Sequence, residues 1–301
     1  MLCRLLIPRL PAADLPTLRL LGARGTSLPP PEDGAEAWLC QAFGVARQTD
    51  WPAAPYSLLG EGVDPGNGYW LHADPVHLRL MRNYMILFGG PELTVSADEA
   101  QAWCATLERH FSDDGLRFVA PHPLRWYLRL AEGPGPATHP LAAVLGREIR
   151  PWLPQGTRWL KLLNEIQMLL HADPRNTLRE EQGLAPVNSV WLWGGGKLQG
   201  QPTPPCTAVY ADHPLARGLA TAAHIPAHPL PASAATCLAE AGGDLLIVAD
   251  GPTAEELENN WLVPLKNALA KGQLERLAII VPGQRQIEVS RLDLWKFWRG
   301  G

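Results

Sequence analysis

The last third of the chain constrains the fold most, because short, wholly apolar runs alternate there with helix starts. Asp244–Asp250 encloses Leu-Leu-Ile-Val-Ala between two acids, and Arg276–Pro282 contains Leu-Ala-Ile-Ile-Val. Runs of this length with no polar position read as strands buried on both faces, as in parallel sheets covered by helices. Between them Thr253-Ala-Glu-Glu256 is a capping box. Its helix is expected to run toward Gly272 with a break at Pro264. Strand, helix and strand in this order imply a right-handed crossover. Thr207–Ala211, followed by a helix over Pro214–Ala223, extends the pattern, and the apolar run Leu2–Ile7 is expected to join the same sheet.

The middle of the chain has a different pattern. Two Pro/Gly-rich stretches bracket it, one from Leu28-Pro-Pro-Pro31 to Gly66-Asn-Gly68 with a helix near Ala35–Phe43, the other Leu198–Pro205. Ser96-Ala-Asp-Glu99 caps a helix whose apolar stripe is Ala100, Trp103, Cys104, Leu107 and Phe111. Leu116–Ala120 and Leu124–Leu130 read as an antiparallel hairpin. Leu124, Trp126, Leu128 and Leu130 form its buried face, and Arg125, Tyr127 and Arg129 its open one. A helix over Thr157–His171 and a strand over Asn188–Trp193 follow. The expected architecture is α/β: a discontinuous core of residues 1–60 and 200–301 around a mostly parallel sheet, with a smaller α+β domain inserted at 65–197.

Charge and composition narrow the function classes. The net charge is −4 and no basic run exceeds two residues, which argues against a nucleic-acid binder. No apolar stretch approaches the ~20 residues of a membrane span. The five cysteines stand apart without a C-x-x-C pair, and Met1–Arg9 is interrupted by Pro8 before it could form a signal peptide. A cytoplasmic location is expected.

Several segments carry chemistry-bearing side chains. Asn164, Gln167 and His171 share one face of the helix over Thr157–His171. They suit a phosphate or carboxylate, or they tie the helix to a neighbouring loop. The second reading weighs more, since buried polar groups need partners with or without a ligand. His-Ala-Asp-Pro occurs twice, at His72–Pro75 and His171–Pro174. If the two met, His72, Asp74, His171 and Asp173 would form a metal or acid–base cluster. The plainer reading, which is favoured, is that Asp-Pro marks turns and helix starts. Gly194-Gly-Gly196 lacks the spacing of a phosphate loop and reads as a hinge. Asp250 lies at the carboxyl end of a core strand, where α/β sheets place ligand groups, though capping and turn roles compete. Leu292–Arg299 reads as a final strand or edge.

Together these segments resemble the archaeal-type cofactor-independent phosphoglycerate mutases, members of the alkaline-phosphatase-like superfamily. The resemblance rests on Asp74-Pro-Val-His-Leu-Arg79 through Asn83-Tyr84, and on Asp173-Pro-Arg-Asn176, Arg179, Gly183 and Pro186-Val-Asn188 leading to Leu192-Trp193-Gly194. The chain is more similar still to a bacterial group of phosphoglycerate-mutase-like, or RpfE-type, regulatory proteins. The superfamily resemblance implies two metal ions and a Ser or Thr nucleophile held by Asp and His residues at the strand ends. Here the first strand leads to Ile7-Pro-Arg9 rather than Asp-Gly. Ala254 stands four residues after Asp250 where a His is expected, and Ile280–Arg285 has no Asp-His pair; only hydroxyls remain near Arg24-Gly-Thr-Ser27.

The resulting expectation is a non-catalytic regulatory or binding protein, without metal or cofactor, whose partner is a small anionic ligand or another protein. Its site is expected between the domains, built from Arg79, Asn164, His171, Asn176, Arg179 and Asn188. For Arg179 and the asparagines a second role stands level, fastening the loop Asp173–Pro186 to the following strand. The alternative function is a phosphotransferase or phosphohydrolase using the relocated set His72, Asp74, His171 and Asp173.

Overall fold

The computed structural model describes residues 1–296. In chain order the strands are β1 (Leu2–Leu6), β2 (Thr26–Leu28), β3 (Tyr69–Leu80), β4 (Met85–Gly89), β5 (Arg117–His122), β6 (Arg125–Leu130), β7 (Ser189–Gly196), β8 (Ala208–Ala211), β9 (Ala227–His228), β10 (Leu245–Val248), β11 (Arg276–Val281) and β12 (Arg285–Ser290). The chain divides into two compact units, Met1–Ala46 with Gly200–Gly301, and Arg47–Gln199. Residues 47–60, which the sequence reading places in the discontinuous core, belong to the second unit. Their helix, Ala53–Gly60, packs on β3 and β7.

The first unit is an α/β layer around a seven-stranded sheet of order β2-β12-β11-β1-β10-β8-β9. β1 lies in the middle, parallel to β10 and β11, with Leu5 in register with Ile247 and Ile279. β8 and β9 continue the parallel set; at the other edge β12 alone is reversed, antiparallel to β11 and to the edge strand β2, which again points the way of β1. All four apolar runs read from the sequence are members. The capping box at Thr253 and Glu256 forms as expected. The break at Pro264 takes the form of a π-helical stretch, Leu257–Leu262, before an α-helix over Val263–Lys271. The wider turn passes the point where the proline ring and its missing N–H would disrupt α-helical bonding. The tail reading fails where it can be checked: Arg291–Trp295 is a 3-10 turn capped by Ser290, and the residues after Lys296 lie outside those described.

The second unit holds a five-stranded antiparallel sheet, β4-β3-β6-β5, with β7 on the other side of β3. One face packs against helices Ala97–His110 and Thr157–His171 through Trp103, Trp126, Leu128 and Ile166. The other face is open only in part: Arg129 is exposed and Arg125 half-buried, as the alternation in β6 implied, but the centre is closed. Tyr127 is fully buried there with Trp70, Ala54 and Leu58, because the helix Ala53–Gly60 covers it.

β3 overturns the turn reading of the first His-Ala-Asp-Pro. This segment is the middle of a twelve-residue strand. Val76 O accepts from Asn188 N, and Leu78 exchanges two bonds with the Asn188 side chain, so these residues direct their backbone groups toward β7. By alternation Pro75 N faces the opposite edge. There β6 pairs only with Tyr69–His72 and β4 only with Val76–Leu80. The proline sits in the gap, where a missing N–H breaks no ladder bond. The second copy does start a helix: Asp173 is its N-cap and Pro174 its first residue.

The glycine run is no hinge either. Gly194 has φ +66, and a Cβ there would lie 3.0 Å from that of Ala53; one on Gly196 would lie 2.4 Å from that of Pro52. The glycines let this end of β7 lie against the covering helix and the loop before it.

Candidate functional site

Among the described residues, all the fully buried polar or charged side chains except Thr17 belong to the second unit. Their centre is the even-numbered face of β3. His72 and Asp74, two residues apart, point to the same side with 1% and 3% exposure. Trp193 on β7 stacks on the His72 ring at 4.0 Å and 7°, while Tyr127 on β6 tilts over it at 4.7 Å. The indole Nε1 of Trp193 donates to Asp74 Oδ2 at 2.7 Å. Asp74 Oδ1 lies 3.7 Å from His72 Nδ1, and neither that oxygen nor either ring nitrogen has a hydrogen-bond partner among the described residues. Burial pushes the Tyr127 phenol well above its ordinary pKa, so it stays neutral. Beside this cluster Asp50 accepts from Trp51 N and from the N–H and hydroxyl of Thr138, and the Thr138 hydroxyl accepts from Gly194 N. The region is chemically rich but enclosed.

The motif residues downstream are committed to backbone. Asn176 donates to Leu170 O at 2.7 Å and Val187 O at 2.9 Å and accepts from Val187 N at 2.8 Å. Arg179 donates to Ala185 O, Thr94 O and Glu99 at 2.6–2.9 Å while lying over the Trp103 ring. Asn188 bonds both backbone groups of Leu78. Asp173 accepts from Arg175 N and pairs with the Arg175 guanidinium at 2.6 Å. Three of these side chains thus fasten the loop 173–186 and the start of β7 to their surroundings. They do not present their polar groups to a common cleft. Burial acts to raise the pKa of Glu99, but hydrogen bonds from Ser96 and Arg179 outweigh it and hold the carboxyl below its ordinary range.

The remaining candidates separate. Arg79 is exposed and borders a groove of 240 Å³ with His77, Phe88 and Glu92. Asn164 and Gln167 line a narrow groove of 60 Å³ against β7 and the β3–β4 hairpin. His171 is exposed at the end of its helix, whereas His72 is buried in the sheet. The six residues expected to share a site between the domains all lie in the second unit. The set His72, Asp74, His171 and Asp173 does not gather, and no group of three or more His, Cys, Asp or Glu side chains among the described residues could hold a metal ion.

The first unit tests the metal site that the resemblance implies. At the carboxyl ends of its parallel strands stand Ile7-Pro-Arg9, Asp212-His213, Ala249-Asp250 and Pro282-Gly-Gln284. Asp212 accepts from Leu230 N, and Asp250 is exposed beside Gly251, whose φ is +80. Asp250 has no Asp-x-x-x-His companion, and the one Asp-His pair, Asp212-His213, stands on a different strand with its carboxylate bonded to Leu230 N, so these strand ends do not fit a two-metal clamp. The cluster around His72 was legible only in part: the sequence supplies the His-x-Asp spacing, but Trp193, Tyr127, Asp50 and Thr138 are distant in the chain.

No family model matches the chain. The 2,3-bisphosphoglycerate-independent phosphoglycerate mutase of Methanosarcina mazei is 30% identical over 107 residues, which is 34% of this chain and 27% of that protein. The Methanosarcina barkeri protein of the same name is 29% identical over 107 residues, with the same shares. A probable mutase of that type from Geobacter sulfurreducens is 40% identical over 57 residues, 18% of this chain and 14% of its own length. The matches therefore span only about a quarter of the Methanosarcina proteins, and they establish distant homology to the archaeal-type cofactor-independent phosphoglycerate mutases. Among solved structures, a Pyrococcus horikoshii protein aligns with TM-score 0.52 at 12% identity, covering 96% of this chain and 87% of its own, a likeness of fold. A cofactor-independent phosphoglycerate mutase from Thermoplasma acidophilum aligns with TM-score 0.43 at 14% identity over 96% and 89% of the two chains.

Proposed function

We propose that this chain is a non-catalytic binding or regulatory protein of phosphoglycerate-mutase descent, working in the cytoplasm, akin to the bacterial phosphoglycerate-mutase-like or RpfE-type regulatory proteins. One observation carries the reading. The strand ends of the parallel sheet hold proline, arginine, glycine, two separated carboxylates and the single imidazole of His213 where a two-metal reaction needs a clustered anionic and imidazole set. A nucleophile left without such a set has neither an activating cation nor a clamp for the transferred phosphoryl group. The buried His72–Asp74 pair supplies no substitute, since its atoms are closed off by Trp193, Tyr127 and Gly194.

The test is turnover of 3-phosphoglycerate by the full chain, with Mn²⁺, Zn²⁺ or Mg²⁺ added in turn, combined with elemental analysis of the purified protein. The expected outcome is no 2-phosphoglycerate formed and no stoichiometric metal. Chelator-sensitive turnover, or about two metals per chain, would overturn the reading.

A further inference from the structure

We infer that the surface between the helix Thr157–His171 and the β3–β4 hairpin docks an acidic, amphipathic segment of a partner protein. The inference deepens the regulatory reading above and rests on it for the partner's being a protein. Three observations on this surface converge.

The first is apolar exposure. Leu80 is 76% exposed at the end of β3, and Met81 and Tyr84 follow it in the hairpin turn. Leu80 pairs across the hairpin with Met85, which lines the 60 Å³ groove together with Leu78 and Leu160. Leu160 is itself 40% exposed. Scattered single apolar residues need no explanation, but a cluster around a groove marks a contact surface. The groove has room for one anchoring side chain rather than a whole small ligand.

The second is unused hydrogen-bonding capacity. Asn164 and Gln167 line the same groove, and neither side-chain amide bonds to another described residue. Side-chain amides beside an apolar slot suit the exposed backbone groups of a bound segment.

The third is charge. Residues 80–85 and 146–152 carry Arg82, Arg147 and Arg150 against the single acid Glu148, in a chain whose net charge is −4. Glu148 is already paired with Arg150, whose guanidinium also donates to Asn83 O and steadies the turn. Arg82 has no ion-pair partner among the described residues. An apolar anchor flanked by carboxylates complements this arrangement. A two-fold contact with a second copy would set the arginines against each other.

The experiment uses the full chain and a fluorescein-labelled helical peptide, with leucines at i, i+3, i+4 and i+7 and glutamates on its flanks. A twin peptide carries lysine for each glutamate. Anisotropy titration is expected to show saturable binding of the glutamate peptide, weakening as salt rises from about 0.1 to 1 M, with no binding of the twin. Leu80→Asp and Arg82→Glu, both at exposed positions without partners, are each expected to weaken binding by about tenfold or more while leaving the melting temperature unchanged. The inference is overturned by three results: no binding of the glutamate peptide, binding that survives both substitutions, or equal binding of the twin. Concentration-dependent dimerisation abolished by Leu80→Asp also overturns it, in favour of self-association. The turnover assay above decides catalysis separately, so failure of the peptide arm leaves the non-catalytic reading standing.

Discussion

The two sheets treat polar side chains in opposite ways. Around the parallel sheet the interior is apolar on both faces of β1, β10 and β11, and its polar residues stay at strand ends and on the surface. Around the antiparallel sheet, a histidine, three aspartates, an asparagine and an arginine are buried, and most of their hydrogen-bonding atoms are used. The strand ends of the parallel sheet do not fit the two-metal clamp that the resemblance implies. The other unit carries the polar interior. Motif residues can therefore persist because they hold a structure together, since removing one strands its buried partners.

The contrast is most sharply tested at Arg179. Its side chain is 2% exposed and joins Thr94, Glu99 and Ala185. Arg179→Ala is expected to lower unfolding free energy by about 3 kcal/mol in urea titration, with no loss of phosphate binding. A loss of about 0.5 kcal/mol or less, together with lost anion binding, would return Arg179 to a ligand site. Asn176→Ala, which leaves Leu170 O, Val187 O and Val187 N without their partner, is expected to cost about 2 kcal/mol by the same measurement.

A smaller effect is expected at the His72 cluster. Trp193→Phe keeps a ring over His72 but removes the donor to Asp74 Oδ2, for a loss of about 1.5 kcal/mol. A neutral result would mean that Asp74 finds another donor. The pH dependence sharpens the comparison further. The pKa of Glu99 is held below its ordinary 4.5 in the folded chain, burial opposing and the bonds from Ser96 and Arg179 prevailing. A carboxyl lowered on folding contributes stability that is fully present above its unfolded pKa and is lost as pH falls through the folded one. Melting temperature should therefore fall on acidification below about pH 4.5, and Glu99→Gln should flatten that limb. The smallest effect is expected in the first unit. Asp250→Asn, at an exposed strand end, should change stability by no more than about 0.5 kcal/mol. A larger loss would show that these strand ends depend on charge.

Much of this was legible in the chain because the signals were local. Five apolar residues between polar ones can only be a buried run, so β10 and β11 and their parallel pairing followed from pattern. Both capping boxes formed, since Ser96 with Glu99 and Thr253 with Glu256 satisfy helix N–H groups at fixed spacing. Distant partners were not legible. Nothing near Tyr127 announces that the helix Ala53–Gly60 will cover its face, and nothing near Gly194 announces that Ala53 will press against it. The fastening role of Arg179 depended on Thr94 and Glu99, some eighty residues earlier in the chain.

The repeated tetrapeptide marks the division between the two. His-Ala-Asp-Pro by itself determines that the proline lacks an N–H and that the aspartate before it disfavours helical backbone. Both copies obey. At His171–Pro174 the preceding helix has run its length, the Asp173 carboxylate turns to Arg175 N, and a new helix begins on Pro174. At His72–Pro75 the same extended backbone continues as a strand. β7 pairs along one edge, while β6 and β4 leave a gap on the other for the proline, and Trp193 rather than the local backbone takes the aspartate. The local sequence fixed which backbone regions were open to the four residues. Only the neighbours supplied by the fold decided between them, because a strand exists through partners and a cap through its own next turn.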